Sequence, residues 1–167
     1  LDEQVGDALG YDPVWEAGGW RERFALPFPP DAHGYGMTFD EVLRLSPPIY
    51  AFDRRVVEDD VICGYHVPKG LAVLVSTYVT HRHPTYWTDP LAFEPDRFLE
   101  SASAGRPAFA YLPFGGGPRR CVGLRFALMS GPLLMATLAR RYRLRLKPGH
   151  PVEELARLNL APRYGMQ

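Results

Sequence analysis

Cys63 and Cys121 are the two residues of this chain best suited to a soft metal, and they keep different company. Cys121 lies near the end of Phe114-Gly115-Gly116-Gly117-Pro118-Arg119-Arg120-Cys121-Val122-Gly123, and an apolar segment with helical spacing follows. Three consecutive glycines leave backbone without Cβ atoms, able to curl tightly and lie against a flat partner, and Pro118 stiffens the exit of that curl. A sulfur placed where a loop becomes a helix meets unpaired N–H groups and the positive end of the helix dipole, which favour thiolate over thiol. Such a thiolate is an anionic metal ligand. The plainer alternative is a free cysteine buried as a small apolar side chain, which is how Cys63, beside Gly64 in a turn, reads.

Other side chains have spacings that suggest work. Glu41 and Arg44 are three apart, so a helix would put acid and base on one face, by itself most often a solvated ion pair. His81 and His83 would share one face of a strand, and zinc held with Cys121 is the alternative those residue types allow.

The elements that must position these groups follow from periodicity and breakers. Leu1, Val5 and Leu9 fit the end of a helix stopped by Gly10, and Tyr11 to Pro30 reads as an ordered loop rich in glycine, proline and aromatics. A helix is predicted over Asp31 to Leu45, weakened by Gly34 and Gly36, with Thr38 and Glu41 spaced as a capping box and Pro47-Pro48 as the stop. Tyr50 to Val57, Val61 to Cys63 and Leu71 to Val75 read as strands of a small twisted sheet. A proline-rich aromatic meander runs from Pro84 to Phe98, and Ser101 to Arg106 reads as a mobile small-residue insert. A long helix should run from Cys121 to about Arg141, kinked or broken at Gly131-Pro132, with Arg140 and Arg141 suited to its C-terminal dipole. Tyr142, Leu144 and Leu146 alternate with basic residues as in a half-buried strand, and Leu158 to Tyr164 would form another.

Phe114, Gly117, Arg119, Cys121 and Gly123 match all five fixed positions of F-x-x-G-x-R-x-C-x-G, and the segment resembles the signature of the haem-thiolate monooxygenases, the cytochrome P-450 family. Glu41-x-x-Arg44 followed by Leu45-Ser46-Pro47-Pro48 resembles the family's K helix, and Phe93-Glu94-Pro95-Asp96-Arg97-Phe98 resembles its F-x-P-x-R-F. The resemblance covers about Phe39 to Tyr164. It implies a mainly α fold with small β-sheets (α+β), residues 1–167 being a C-terminal fragment of a single haem-thiolate domain and residues 1–38 carrying little of the likeness. On that reading the fragment lacks the distal half and would be inactive by itself.

The resemblance further implies haem b, iron protoporphyrin IX, with Cys121 as the axial ligand of the iron. A thiolate on haem iron pushes electron density toward dioxygen and favours O–O cleavage. Phe114, Gly117 and Gly123 would shape the loop around the sulfur. Arg119 and Arg55 would meet the haem propionates, since guanidinium groups bind carboxylates well. Glu41, Arg44 and Arg97 would form one buried network, and Ile49 and Ala51 would line the wall of an apolar substrate's cavity, near a late loop at Leu158 to Leu160. The implied reaction is insertion of one atom of dioxygen into an apolar substrate, with electrons from a ferredoxin or a flavin reductase. An isomerase, dehydratase or peroxygenase using the same ligand, or a haem-binding remnant without turnover, are the alternatives. His81-Arg82-His83-Pro84 departs from the family's usual His-Arg-Asp-Pro at His83.

Composition excludes some classes. The 167 residues carry 19 basic and 19 acidic side chains, so no net charge points to nucleic acid or to a charged membrane surface. Two cysteines are too few for a disulfide scaffold, and a thiolate ligand must stay reduced, so a cytoplasmic setting is expected, with an upstream membrane anchor left open. No apolar run reaches the roughly 18 residues of a membrane span.

Overall fold

A computed structural model describes residues 32–166. The expected helix end at Leu1 to Gly10 and the loop from Tyr11 to Pro30 lie outside the described residues. Helix α1, Ala32–Leu45, forms despite its glycines because one face finds a partner: Leu43 is buried and the Phe39 ring lies against Gly131 of the long helix. Ser46 donates the last helical bond to Val42, and the prolines behind it stop the helix. The capping box does not form. Thr38 lies inside the helix and is buried, and the Glu41 carboxylate is occupied by Arg44 and Arg97.

Beyond α1 the chain makes short antiparallel ladders. Strand β1, Phe52–Arg55, pairs with β4, Ala72–Val75, aligning Phe52 with Val75 and Arg55 with Ala72. Between them β2, Asp60–Ile62, and β3, Tyr65–Val67, form a hairpin closed by Cys63-Gly64. The expected single sheet is thus two separate ladders, and the added strand at Tyr65 to Val67 pairs with β2. A short helix α2, Thr77–Thr80, is capped by the Ser76 hydroxyl accepting the Val79 N–H. The meander then passes through a 3-10 turn, Pro95–Phe98, into the short helix α3, Glu100–Ser103.

The segment expected to be mobile is fastened. Arg106 donates to the Arg97 carbonyl at 2.6 Å, and its guanidinium lies 4.2 Å from the centre of the Trp87 ring. A second 3-10 turn, Gly117–Arg119, leads to the long helix α4, Leu124–Arg141. Cys121 therefore precedes that helix by three residues instead of opening it. Pro132 does not end α4, which continues through it to Arg141. Gly131 has a packing reason of its own, since a Cβ there would stand 2.4 Å from the Phe39 ring.

Residues 142–147 form no strand among the described residues. The late hairpin has its own ladder instead, β5, Glu154–Ala156, against β6, Leu160–Pro162. That hairpin docks on the segment behind α1: Leu160 N–H donates to the Pro48 carbonyl at 2.7 Å and Tyr50 Oη to the Arg157 carbonyl at 2.9 Å. The core is half polar. Trp87, Leu43, Leu112 and Ala110 are buried together with Glu41, Arg44, His81 and Arg97.

Candidate haem-thiolate site

The site rests on a charge network that the fold encloses. Glu41 and Arg44 are both fully buried and meet as a two-pronged pair, Arg44 Nε to Oε2 at 2.6 Å and Nη2 to Oε1 at 2.8 Å. Arg44 then donates through Nη1 to the carbonyls of His81 and Pro90 and through Nη2 to that of Ala92, so all five guanidinium N–H groups have acceptors. Arg97 adds its Nε to Glu41 Oε1 at 3.2 Å and reaches the Thr88 and Asp89 carbonyls. The Glu94 N–H also donates to Oε1, while the Glu94 carboxylate pairs with Arg97 at 3.0 Å. Two acids thus balance two bases. Burying such charges is costly, and full hydrogen bonding is what makes the arrangement stable. Its mechanical result is that the meander's carbonyls are clamped to α1.

The cysteine loop lies one layer further out. Gly115 and Gly117 adopt φ of +70° and +69°, a backbone that side chains resist, and the Cys121 N–H donates to the Phe114 carbonyl at 2.9 Å. The half-buried Phe114 thus closes the loop through its backbone. A Cβ at Gly117 would meet nothing within 4 Å, whereas one at Gly123 would stand 3.6 Å from Cys121 Sγ. Cys121 is exposed, as are Arg119 in the turn before it and Val122 and Phe126 after it. Cys63 is exposed at its hairpin turn, apart from these contacts.

Strand β1 borders the loop. The Phe52 ring lies 3.9 Å from where a Cβ of Gly115 would be, and the Arg54 guanidinium stands 4.6 Å from the centre of the same ring. Arg54 is therefore on the loop side of β1. Arg55, the neighbour singled out from the sequence, stands exposed on the opposite face.

His81 is enclosed and does not form a metal set with His83. Its Nε2 accepts the Leu112 N–H at 2.9 Å, His83 is exposed, and among the described residues no group of histidine, cysteine and carboxylate side chains could hold a metal ion. Burial, with the positive charges of Arg44 and Arg82, drives the His81 ring down to about 4, so it is neutral at pH 7. Tyr111, whose ring packs 5.2 Å from that of His81, donates Oη to the Asp40 carbonyl and Oδ1, each at 3.0 Å. Burial pushes both the Tyr111 phenol and the Asp40 carboxyl up. No spacing in the sequence signals this pair or the bond from Leu112 to His81, because each joins residues far apart in the chain.

Ile49 is exposed and Ala51 half-buried on the segment that accepts the late hairpin, so the two stretches singled out as substrate wall adjoin one another. No helix among the described residues is long and apolar enough to cross a membrane.

The family model described as Cytochrome P450 matches residues 36–163. The "Putative cytochrome P450 132" of Mycobacterium tuberculosis (strain ATCC 25618 / H37Rv) is 39% identical over 126 residues, covering 75% of this chain and 27% of that protein. The "Cyclooctatin synthase" of Streptomyces melanosporofaciens is 38% identical over 123 residues, 74% of this chain and 27% of its own length. Among solved structures, retinoic acid bound cyanobacterial CYP120A1 superposes with a TM-score of 0.76 at 29% identity, over 96% of this chain and 39% of its own. CYP175A1 from Thermus thermophilus gives 0.72 at 33% identity, over 95% of this chain and 37% of its own. The chain thus spans about a quarter of the length of these curated relatives.

Proposed function

This chain belongs to the cytochrome P450 family, and from that membership we propose that it supplies the thiolate side of a haem monooxygenase acting on an apolar substrate. The family's cofactor is haem, and its members are oxidoreductases using dioxygen, a substrate and a redox partner. The residues present fit that group. Gly117 leaves its surroundings open, the exposed Cys121 sulfur stands beyond it, and exposed Val122 and Phe126 offer apolar surface nearby. A thiolate is a soft donor suited to iron. The single observation that carries the reading is this accessible sulfur, with its own backbone fixed to the Phe114 carbonyl at the end of a glycine loop.

Haem bound there supplies the activation of dioxygen for insertion of one oxygen atom. The chain's own residues do the rest. Phe114, Gly117 and Gly123 shape the backbone around the ligand. Arg119 and a β1 arginine hold the two propionates, and the loop side of β1 favours Arg54 over Arg55 for that role. Ile49 and Ala51, backed by the hairpin around Leu158 to Leu160, present substrate wall. Electrons come from a ferredoxin or a flavin reductase.

The test is the carbon monoxide difference spectrum of the complete protein and of its Cys121→His variant. The complete protein is expected to give the red-shifted band of a thiolate ligand, and the variant to lose it. A thiolate-type band that survives the substitution overturns the assignment.

A further inference from the structure

We propose that His81 is a positioning residue that ties the cysteine loop to the buried ion-pair network, its ring nitrogen holding the Leu112 N–H while its carbonyl is held by Arg44. The role at haem rests on reading Cys121 as the ligand; the mechanical link does not. His81 is fully buried and gripped at both ends. Arg44 Nη1 donates to its carbonyl at 2.8 Å, and its Nε2 accepts the Leu112 N–H at 2.9 Å. An accepting Nε2 carries no proton, so the ring's single hydrogen sits on Nδ1, which lies near the Arg44 and Leu43 carbonyls without a well-formed hydrogen bond to either. A buried polar atom left unmatched disfavours this arrangement unless the other nitrogen's bond is needed.

What the bond fixes is the approach to the ligand. The Leu112 carbonyl accepts the Gly115 N–H at 3.0 Å, closing the turn that contains Phe114, and the Phe114 carbonyl accepts the Cys121 N–H at 2.9 Å. The path from Glu41 to the sulfur-bearing residue is therefore continuous: Arg44, His81, Leu112, the turn, Phe114, Cys121. Each link is a hydrogen bond or a single turn of backbone. Tyr111 is a second tether beside it, joining the same stretch to Asp40 of α1. A loop rich in glycine has no side chains with which to hold itself, so its position must be imposed by neighbours of this kind.

In the complete haem protein, His81→Phe keeps a ring and removes the acceptor, while His81→Gln offers a carbonyl oxygen near the place of Nε2. Amide hydrogen exchange is read over residues 110–116 and over α1, together with the fraction of protein giving the thiolate-type carbon monoxide band. For His81→Phe the loop peptide should exchange about tenfold faster or more, as expected for one buried N–H left unpaired, with α1 unchanged. The thiolate-type fraction should fall in the same variant, and His81→Gln should restore both. Equal acceleration in α1 and the loop, or no change in either, overturns the proposal. If His81→Phe does not fold, the ring nitrogen shifts of the wild-type protein decide: a protonated Nε2 overturns the proposal, and a bare Nε2 coupled to the Leu112 N–H supports it. If no variant and not the wild type shows a thiolate-type band, the haem reading fails while hydrogen exchange still scores the link.

Discussion

Arg97 Nε reaches the same Glu41 oxygen, Oε1, that already accepts Arg44 Nη2, at 3.2 Å and 2.8 Å respectively. One carboxylate oxygen thus joins α1 to the meander. Removing any member strands a buried charge, so Glu41→Gln, Arg44→Ala and Arg97→Ala should each cost about 3 to 5 kcal/mol. Chemical denaturation of the complete protein checks this. The Arg44 and Arg97 losses should be strongly non-additive in a double-mutant cycle, and nearly neutral, additive losses would show independent charges.

Acid should weaken the fold through His81. Its ring is held near 4 against an ordinary 6.5, chiefly by burial, with Arg44 and Arg82 adding repulsion and the Arg44 carbonyl opposing; Tyr111 covers it from the other side. The unfolded chain then binds a proton that the folded one refuses. Its contribution is complete above about pH 6.5 and falls as the pH drops toward 4, by about 3 kcal/mol in all. Unfolding free energies measured across that window should slope in the wild type, and the slope should be shallower in His81→Gln.

The two β1 arginines should separate in haem retention. Arg54 is on the loop side and Arg55 on the outer face. Losing one charge-assisted hydrogen bond of about 1.5 to 3 kcal/mol would weaken haem binding about ten- to a hundredfold. Haem transfer to an apoprotein acceptor should therefore speed up in Arg54→Ala and barely change in Arg55→Ala. The reverse order would return the role to Arg55.

Gly131→Ala should destabilise despite the better helix former. Alanine gains about 1 kcal/mol of helix propensity over glycine, but its Cβ would meet the Phe39 ring at 2.4 Å, an overpacking that typically costs about 1 to 3 kcal/mol. In a Phe39→Ala background the cost should shrink, leaving the strain that Pro132 places on a preceding helical residue with a Cβ. Melting temperatures of the four proteins test the difference.

Much of the candidate site's framework, the Glu41–Arg44 pair and the glycine loop before Cys121, could be read from the sequence because its signals are local. The cysteine loop carries its chemistry within ten residues, and Glu41-x-x-Arg44 carries its own geometry. Arg97 came into view only through the likeness of Phe93 to Phe98 to a known pattern. Where local rules misled, a tertiary partner had prevailed. Thr38 looked like a cap but is interior because α1 finds α4 to pack on, and Pro132 looked like a break but α4 runs through it. Residues 142–147 alternate like a strand, but none is assigned to them among the described residues, where β5 pairs with β6. The family likeness singles out Arg55, whereas the register of β1 sets Arg54 on the loop side, a one-residue difference that alternation in so short a strand does not specify. The bond between His81 and Leu112 leaves no trace in the spacing at all.

The order of the network along the chain has a consequence for biosynthesis. Glu41, Arg44, His81, Arg97 and Leu112 all precede Cys121, and the hairpin that holds Pro48 follows it. A ribosome working from the N-terminus therefore delivers the charge network first, Cys121 second and the late hairpin last. A nascent chain interrupted between Arg141 and Glu154 already has, among the described residues, α1, the long helix it packs on and the network, yet lacks the hairpin whose Leu160 N–H holds the Pro48 carbonyl.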